Sequence, residues 1–217
     1  MNRRHFLAVT AGTAAVGMHR LASAQDGAAF REFRILRDGS DIGRHRLEAQ
    51  RTGDVFTMAV DIDIRVRFLG ITAYRYELTN REVWRDQRLE SIDSRTNDDG
   101  TDDFVKIMRV EDGLEVDGSG HSGLVPSEAV TTTYYTTAFM QRRPWVSSQT
   151  GEPLSLETAQ DQADGLTRWT VTGELETRLY YDERGEWVTC KFDASGEPAE
   201  YEVIDESGEI ARLWAGV

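Results

Sequence analysis

The chain has 217 residues, with 38 Asp and Glu against 25 Lys and Arg, a formal net charge of −13 and 39% hydrophobic residues. So acidic a chain is a poor partner for nucleic-acid phosphates or anionic lipid surfaces, which recruit clusters of Lys and Arg. Cys190 is the only cysteine, so an intrachain disulfide is excluded and stability must come from a buried core.

Residues 1–24 have the layout of an export signal: a charged start, an apolar middle and a small-residue cleavage site, Ala22-Ser23-Ala24. Arg3 and Arg4 followed by Phe6 and Leu7 resemble the twin-arginine motif. Thr10, Gly12, Thr13 and Gly17 keep the middle weakly hydrophobic, and Arg20 sits just before the cleavage site. The resemblance implies a protein that folds first and then crosses the inner membrane through the twin-arginine machinery. The apolar run is too short to cross ~30 Å of hydrocarbon at ~1.5 Å per residue. Cleavage after Ala24 then leaves a periplasmic chain beginning at Gln25, with no transmembrane segment expected. Losing three arginines and no acid takes the charge from −13 to −16.

Alternation with period two dominates from there on. Phe56, Met58, Val60, Ile62, Ile64, Val66 and Phe68 share one face of a strand, with Thr57, Asp61, Asp63, Arg65 and Arg67 on the other. A strand this long with one apolar face suits a strongly curved sheet or barrel. Turn residues punctuate the runs: Asp38-Gly39, Gly70, Asn97 to Asp102, Asp112-Gly113, Arg184-Gly185, Ser195-Gly196 and Ser207-Gly208. The C-terminal part reads as a meander of strands over residues 169–181, 187–192, 201–204 and 210–214. Only Ser127 to Met140 is ambiguous, because its run of Thr131, Thr132, Thr133, Thr136 and Thr137 disfavours helix. It reads as a turn of helix or an irregular crossover linking two halves of one sheet. The expected architecture over residues 25–217 is a single all-β domain: an antiparallel, strongly curved sheet or half-barrel with at most one short helix.

Several stretches carry a family resemblance. Residues 37–45 (Arg-Asp-Gly-Ser-Asp-Ile-Gly-Arg-His) resemble the opening hairpin of an uncharacterised family of exported bacterial proteins, domain of unknown function 6134. Leu69 to Tyr76 with Glu82-Val83-Trp84, and Thr96 to Gly100, resemble its central stretch, and Tyr180 to Trp187 with Tyr201 its closing hairpin. The chain departs from the pattern in having Leu78-Thr79 where a histidine is expected after the Tyr-x-Tyr pair. The resemblance implies no activity. It does imply structural kinship with exported half-barrels that shelter apolar ligands.

Motifs for chemistry are sparse. Beyond residue 24 the histidines are His45 and His121, and neither has a His or Cys partner at metal-ligand spacing. The loop Gly118-Ser119-Gly120-His121-Ser122-Gly123 lacks the Gly-Lys-Ser/Thr of a phosphate loop. Asn97 to Asp103 fails the calcium-loop template: aligning Gly100 with its invariant glycine puts Arg95 and Lys106 at the terminal ligand positions. A solvated hairpin turn is the better reading. No nucleophile elbow occurs, and neither a metal nor a cofactor is expected.

The aromatic residues are the more suggestive feature. Tyr74, Tyr76, Trp84, Tyr134, Tyr135, Phe139 and Trp145 concentrate mid-chain, where such rings build either core or the wall of a ligand cavity. Three readings stay open. A periplasmic carrier would enclose an apolar or amphipathic small molecule in a sizeable dry cavity, with Tyr74, Tyr76, Glu82, Trp84, His121, Tyr134, Tyr135 and Trp145 as candidate lining. An accessory protein acting on a protein partner would instead show an exposed apolar patch or an unprotected sheet edge. A small hydrolase or isomerase would bring His121 or Glu82 together with Tyr74. The carrier is favoured and the enzyme least.

Overall fold

The computed structural model describes residues 26–68 and 70–216, so the export signal and its cleavage site lie outside the described residues. Long alternating runs form long strands. Strands β1 (Gly27–Arg37), β2 (Ser40–Thr52), β3 (Val55–Phe68), β4 (Ile71–Arg85), β5 (Arg88–Asp98), β6 (Thr101–Val110), β7 (Gly113–Gly118) and β8 (Ser122–Val125) make a first meander. A second comprises β12 (Leu156–Ala163), β13 (Leu166–Gly173), β14 (Thr177–Tyr181), β15 (Trp187–Asp193) and β16 (Pro198–Ser207). Pairing of β16 with β1 joins the two into one antiparallel sheet of 13 strands, with β8 and β12 at its edges. Hairpin turns account for the registers: Asp38-Gly39 and Asp99-Gly100 both take positive φ, which short polar residues and glycine tolerate.

The sheet curls around its apolar face. Cross-strand register stacks that face in rows running across β2 to β7. One row is Ala49, Met58, Glu82, Ile92, Ile107 and Val116. Two rows further on comes His45, Ile62, Leu78, Thr96 and Asp103. Beyond that lie Gly43, Ile64, Tyr76 and Asp98, and last the pair Val66 and Tyr74.

The segment between β8 and β12 fills the interior. It carries β9 (Val130–Thr131), β10 (Trp145–Val146) and β11 (Pro153–Leu154), which form a separate three-stranded sheet, and a 3-10 turn at Thr137–Gln141. The threonine run is irregular because its hydroxyls are committed to partners. Thr131 bonds Thr133, Thr132 bonds Ser148, and Thr136 caps the 3-10 turn through the Ala138 N–H. Such local bonds compete with helix. This segment runs from edge strand β8 to edge strand β12, so it links the two halves of the one sheet as expected, and it also plugs the sheet's interior.

Two expectations near the C-terminal end are corrected. Residues 169–181 form two strands, broken where Gly173 sits at φ +125°, a conformation side chains rarely adopt. Residues 210–214 are helical, not a strand: α1 (Ile210–Ala215) buries Ile210, Leu213 and Trp214 at i, i+3 and i+4. Ser207-Gly208 therefore leads into a helix and not a hairpin. The Glu186 carboxylate accepts the Ala211 N–H, so a charged side chain serves an orphan donor at the start of α1.

Candidate functional site

The two ends of the curled sheet differ. At one end Trp214 of α1 packs against Phe56, Trp84, Tyr135 and Phe139, with ring centroids 5.1–5.8 Å apart. Trp145 approaches Phe139 at 6.5 Å and Tyr134 at 5.6 Å. These rings fill the interior at that end. Trp84, Tyr135 and Trp145, expected as cavity wall, are therefore core: each is buried against other rings rather than facing a space.

Glu82 belongs to this packed region. Its side chain is 0% exposed, and its carboxylate accepts hydrogen bonds from Trp84 Nε1 (2.9 Å), Asn80 Nδ2 (3.0 Å), Thr133 Oγ1 (3.1 Å) and Tyr135 OH (3.2 Å). Burial pushes the carboxyl above the usual range, opposed by the Trp84, Asn80 and Thr133 donors, which favour the ionised form. The arrangement ties β4 to the plug. It is no acid–base pair, because Glu82 meets neither Tyr74 nor His121. Tyr74 lies four rows away along β4. His121 lies in the β7–β8 turn, and β7 is three strand spacings (~14 Å) from β4. The convergence that the enzyme reading requires does not occur.

His45 sits deep on the inner face among Phe33, Trp187 and Tyr201, with ring centroids 5.3–6.0 Å away. Among the described residues neither ring nitrogen has a hydrogen-bond partner. Burial alone lowers its pKa to about 3, so the imidazole is neutral. Cys190 is buried and free, and burial pushes its thiol up, away from reactivity.

The opposite end is open. Ile62, Ile64, Val66, Tyr74 and Tyr76 continue the inward faces of β3 and β4, yet are only half-buried. Ile42, at a bulge where β1 and β2 shift register, packs beside them. A cleft of about 730 Å³ at the rim is bordered by Ile42 and Val66, between the β1–β2 turn and the end of β3. Polar groups continue the apolar row. Tyr74 OH donates to Asp98 Oδ1 at 2.8 Å, Tyr76 OH to Gln149 Oε1 at 3.4 Å, and Gln149 Nε2 to Asp103 Oδ2 at 3.2 Å. Burial, and then the Asp98 charge, raise the pKa of both tyrosines. The structure thus divides the candidate residues: Tyr74 and Tyr76 stand at the open end, Tyr134 faces Trp145 and Tyr181, and His121 is apart from all of them.

Sequence reasoning missed Asp98 and Asp103, reading residues 97–103 as a solvated turn. Only residues 99–102 form its exposed tip. The signal was present, since Ile92, Ser94, Thr96 and Asp98 share one strand face, and Ile107, Val105 and Asp103 another.

Two further surfaces complete the picture. On the outer face, β6 exposes Phe104, Met108 and Val110, and edge strand β8 exposes Leu124; Met108 and Leu124 are each 59% exposed. Among the described residues no three His, Cys, Asp or Glu side chains gather as a metal site, and no helix is long and apolar enough to cross a membrane.

Comparison with known proteins bears on fold and family. A family model described as "Domain of unknown function (DUF6134)" matches residues 33–204. No curated protein matches the chain. Among solved structures, the chain is similar to a beta-barrel-like protein of domain of unknown function DUF1849 from Brucella abortus, with a TM-score of 0.54 at 8% identity. The match covers 84% of this chain and 97% of that one.

Proposed function

Since this chain belongs to the DUF6134 family, a domain of unknown function, its own geometry must carry any reading of activity, and we propose that it is an exported binding protein for an amphipathic small molecule. The ligand enters the open end of the curled sheet instead of an enclosed cavity among the tryptophans. The single observation behind this is the half-buried inward row Ile62, Ile64, Val66, Tyr74 and Tyr76, on strands whose inward residues toward the tryptophan end, Phe56, Met58, Val60, Leu78, Glu82 and Trp84, are buried. Mixed apolar and hydroxyl-bearing walls of this kind suit ligands with an apolar body and a polar head. The first 24 residues supply the address: twin-arginine export, cleavage after Ala24 and a periplasmic destination.

Native mass spectrometry of protein purified from the periplasm tests the reading. The expected result is the mass of residues 25–217 plus a stoichiometric small molecule released on denaturation. Ile64→Ser, which removes apolar contact worth ~1–2 kcal/mol, should weaken rebinding of the extracted molecule roughly tenfold. A bare chain that binds no apolar probe would overturn the reading. A second reading, a protein partner docking on the outer face, is favoured by the exposed Phe104, Met108, Val110 and Leu124 beside edge strand β8. Met108→Lys distinguishes the two, because it should leave the small-molecule adduct unchanged.

A further inference from the structure

The open end is asymmetric in charge, and that asymmetry constrains the ligand. On the β2–β3 side, the rim cleft is lined by Arg37, Arg44, Asp38, Asp41 and Glu197, together with Asp63, Arg65 and Arg67 from the outer face of β3. Charges there balance, and Arg44 and Arg65 are paired with Asp41 and Asp63. On the β4–β6 side the balance fails. Asp98 and Asp103 face inward with Tyr74 and Tyr76, and among the described residues neither makes an ion pair. Among the described residues their hydrogen-bond donors are a tyrosine hydroxyl and the Gln149 amide, both neutral.

A second observation stands apart from the carboxylates. Thr96 is the register partner of Asp103 and lies one step inward of Asp98 on the same face of β5. It is 4% exposed and stands beside the Tyr76 hydroxyl, and among the described residues its Oγ1 makes no full hydrogen bond. Ser94 Oγ, the next inward position on that face, is unpartnered as well. Buried hydroxyls are normally satisfied, so a pair left open beneath two unpaired carboxylates marks a place that a ligand or its water completes.

We infer that the open end selects an amphipathic monocation: an ammonium head held between Asp98 and Asp103, with its apolar body along Tyr76, Ile64 and Ile62. The two tyrosine rings add cation–π attraction to the carboxylates' charge. The balanced arginine side gives an anionic head no comparable net attraction. This inference rests on the open-end binding reading, and its test separates the two.

Titration calorimetry of the chain from Gln25 compares three probes with ten-carbon chains: decyltrimethylammonium and decanoate below their micelle concentrations, and decanol below its solubility limit. The cation is expected to bind at least tenfold more tightly than either other probe. Asp98→Asn with Asp103→Asn should erase that preference, bringing the cation's affinity down to that of the other two probes. A cooperative thermal transition like the parent's shows that the double variant is folded. Equal affinity for all three heads, or preference for decanoate, overturns the charge inference and leaves the binding reading standing. If no probe binds, the binding reading falls with it.

Discussion

Replacing Glu82 with alanine should lower the free energy of unfolding by about 3–5 kcal/mol, whereas glutamine should cost about 1 kcal/mol or less. Alanine would leave four buried donors facing a void: Trp84 Nε1, Asn80 Nδ2, Thr133 Oγ1 and Tyr135 OH. Each orphaned donor costs about 1–3 kcal/mol, offset in part by local repacking. Glutamine can keep the network. Its oxygen accepts from Trp84 and Tyr135, while its amide donates to Thr133 and to Asn80 Oδ1, which has no partner in the native protein. The pH dependence has a definite sign. Because the folded pKa of Glu82 is raised, the stability it contributes is present below its ordinary value of 4.5 and is lost as pH rises through the folded value. Urea unfolding of Glu82→Gln should therefore show a smaller loss of stability with rising pH than the parent chain. An alanine variant as stable as the glutamine variant would contradict the network.

His45→Phe should remove a pH-dependent loss of stability on the acid side. The folded pKa is depressed to about 3 from 6.5, so the unfolded chain binds the extra proton between those values. Stability is thus fully present above pH 6.5 and falls as pH drops toward 3. At ~1.36 kcal/mol per unit, the parent loses about 2 kcal/mol from this group between pH 6.5 and pH 5. Phenylalanine fits the ring environment of Phe33, Trp187 and Tyr201 and removes two unpartnered nitrogens. Denaturant midpoints at pH 5 and pH 7 decide it: the difference should shrink by that amount in the variant. Equal slopes in both proteins would show that His45 finds a partner or water in solution.

How far the sequence foretold this molecule depends on the range of the interaction concerned. Alternation is local, so the inward face of β3 from Phe56 to Val66 and the antiparallel meander were legible, as were the Asp38-Gly39 and Asp99-Gly100 turns. Six residues are too few to display a helical period, so Ile210 to Trp214 read as strand within what is the helix Ile210–Ala215. The aromatic cluster was visible as composition but not as packing. Trp84 and Trp214 are 130 positions apart in the chain, and only the fold makes them neighbours. Glu82 stood among the candidate residues, but Thr133 and Tyr135, which explain its burial, come from the plug. Asp98 and Asp103 were hidden by their polar neighbours, whose turn composition outweighed the strand parity that points both inward.

The central claim is that ligand binds at the open end and not among the tryptophans. Amide chemical-shift mapping of the chain from Gln25, titrated with decyltrimethylammonium, tests it most directly. Shifts confined to Ile62, Ile64, Tyr74, Tyr76, Thr96 and their strand neighbours are predicted, with Trp84, Trp145 and Trp214 unmoved. Shifts centred on those tryptophans, or none at saturating probe, would contradict it.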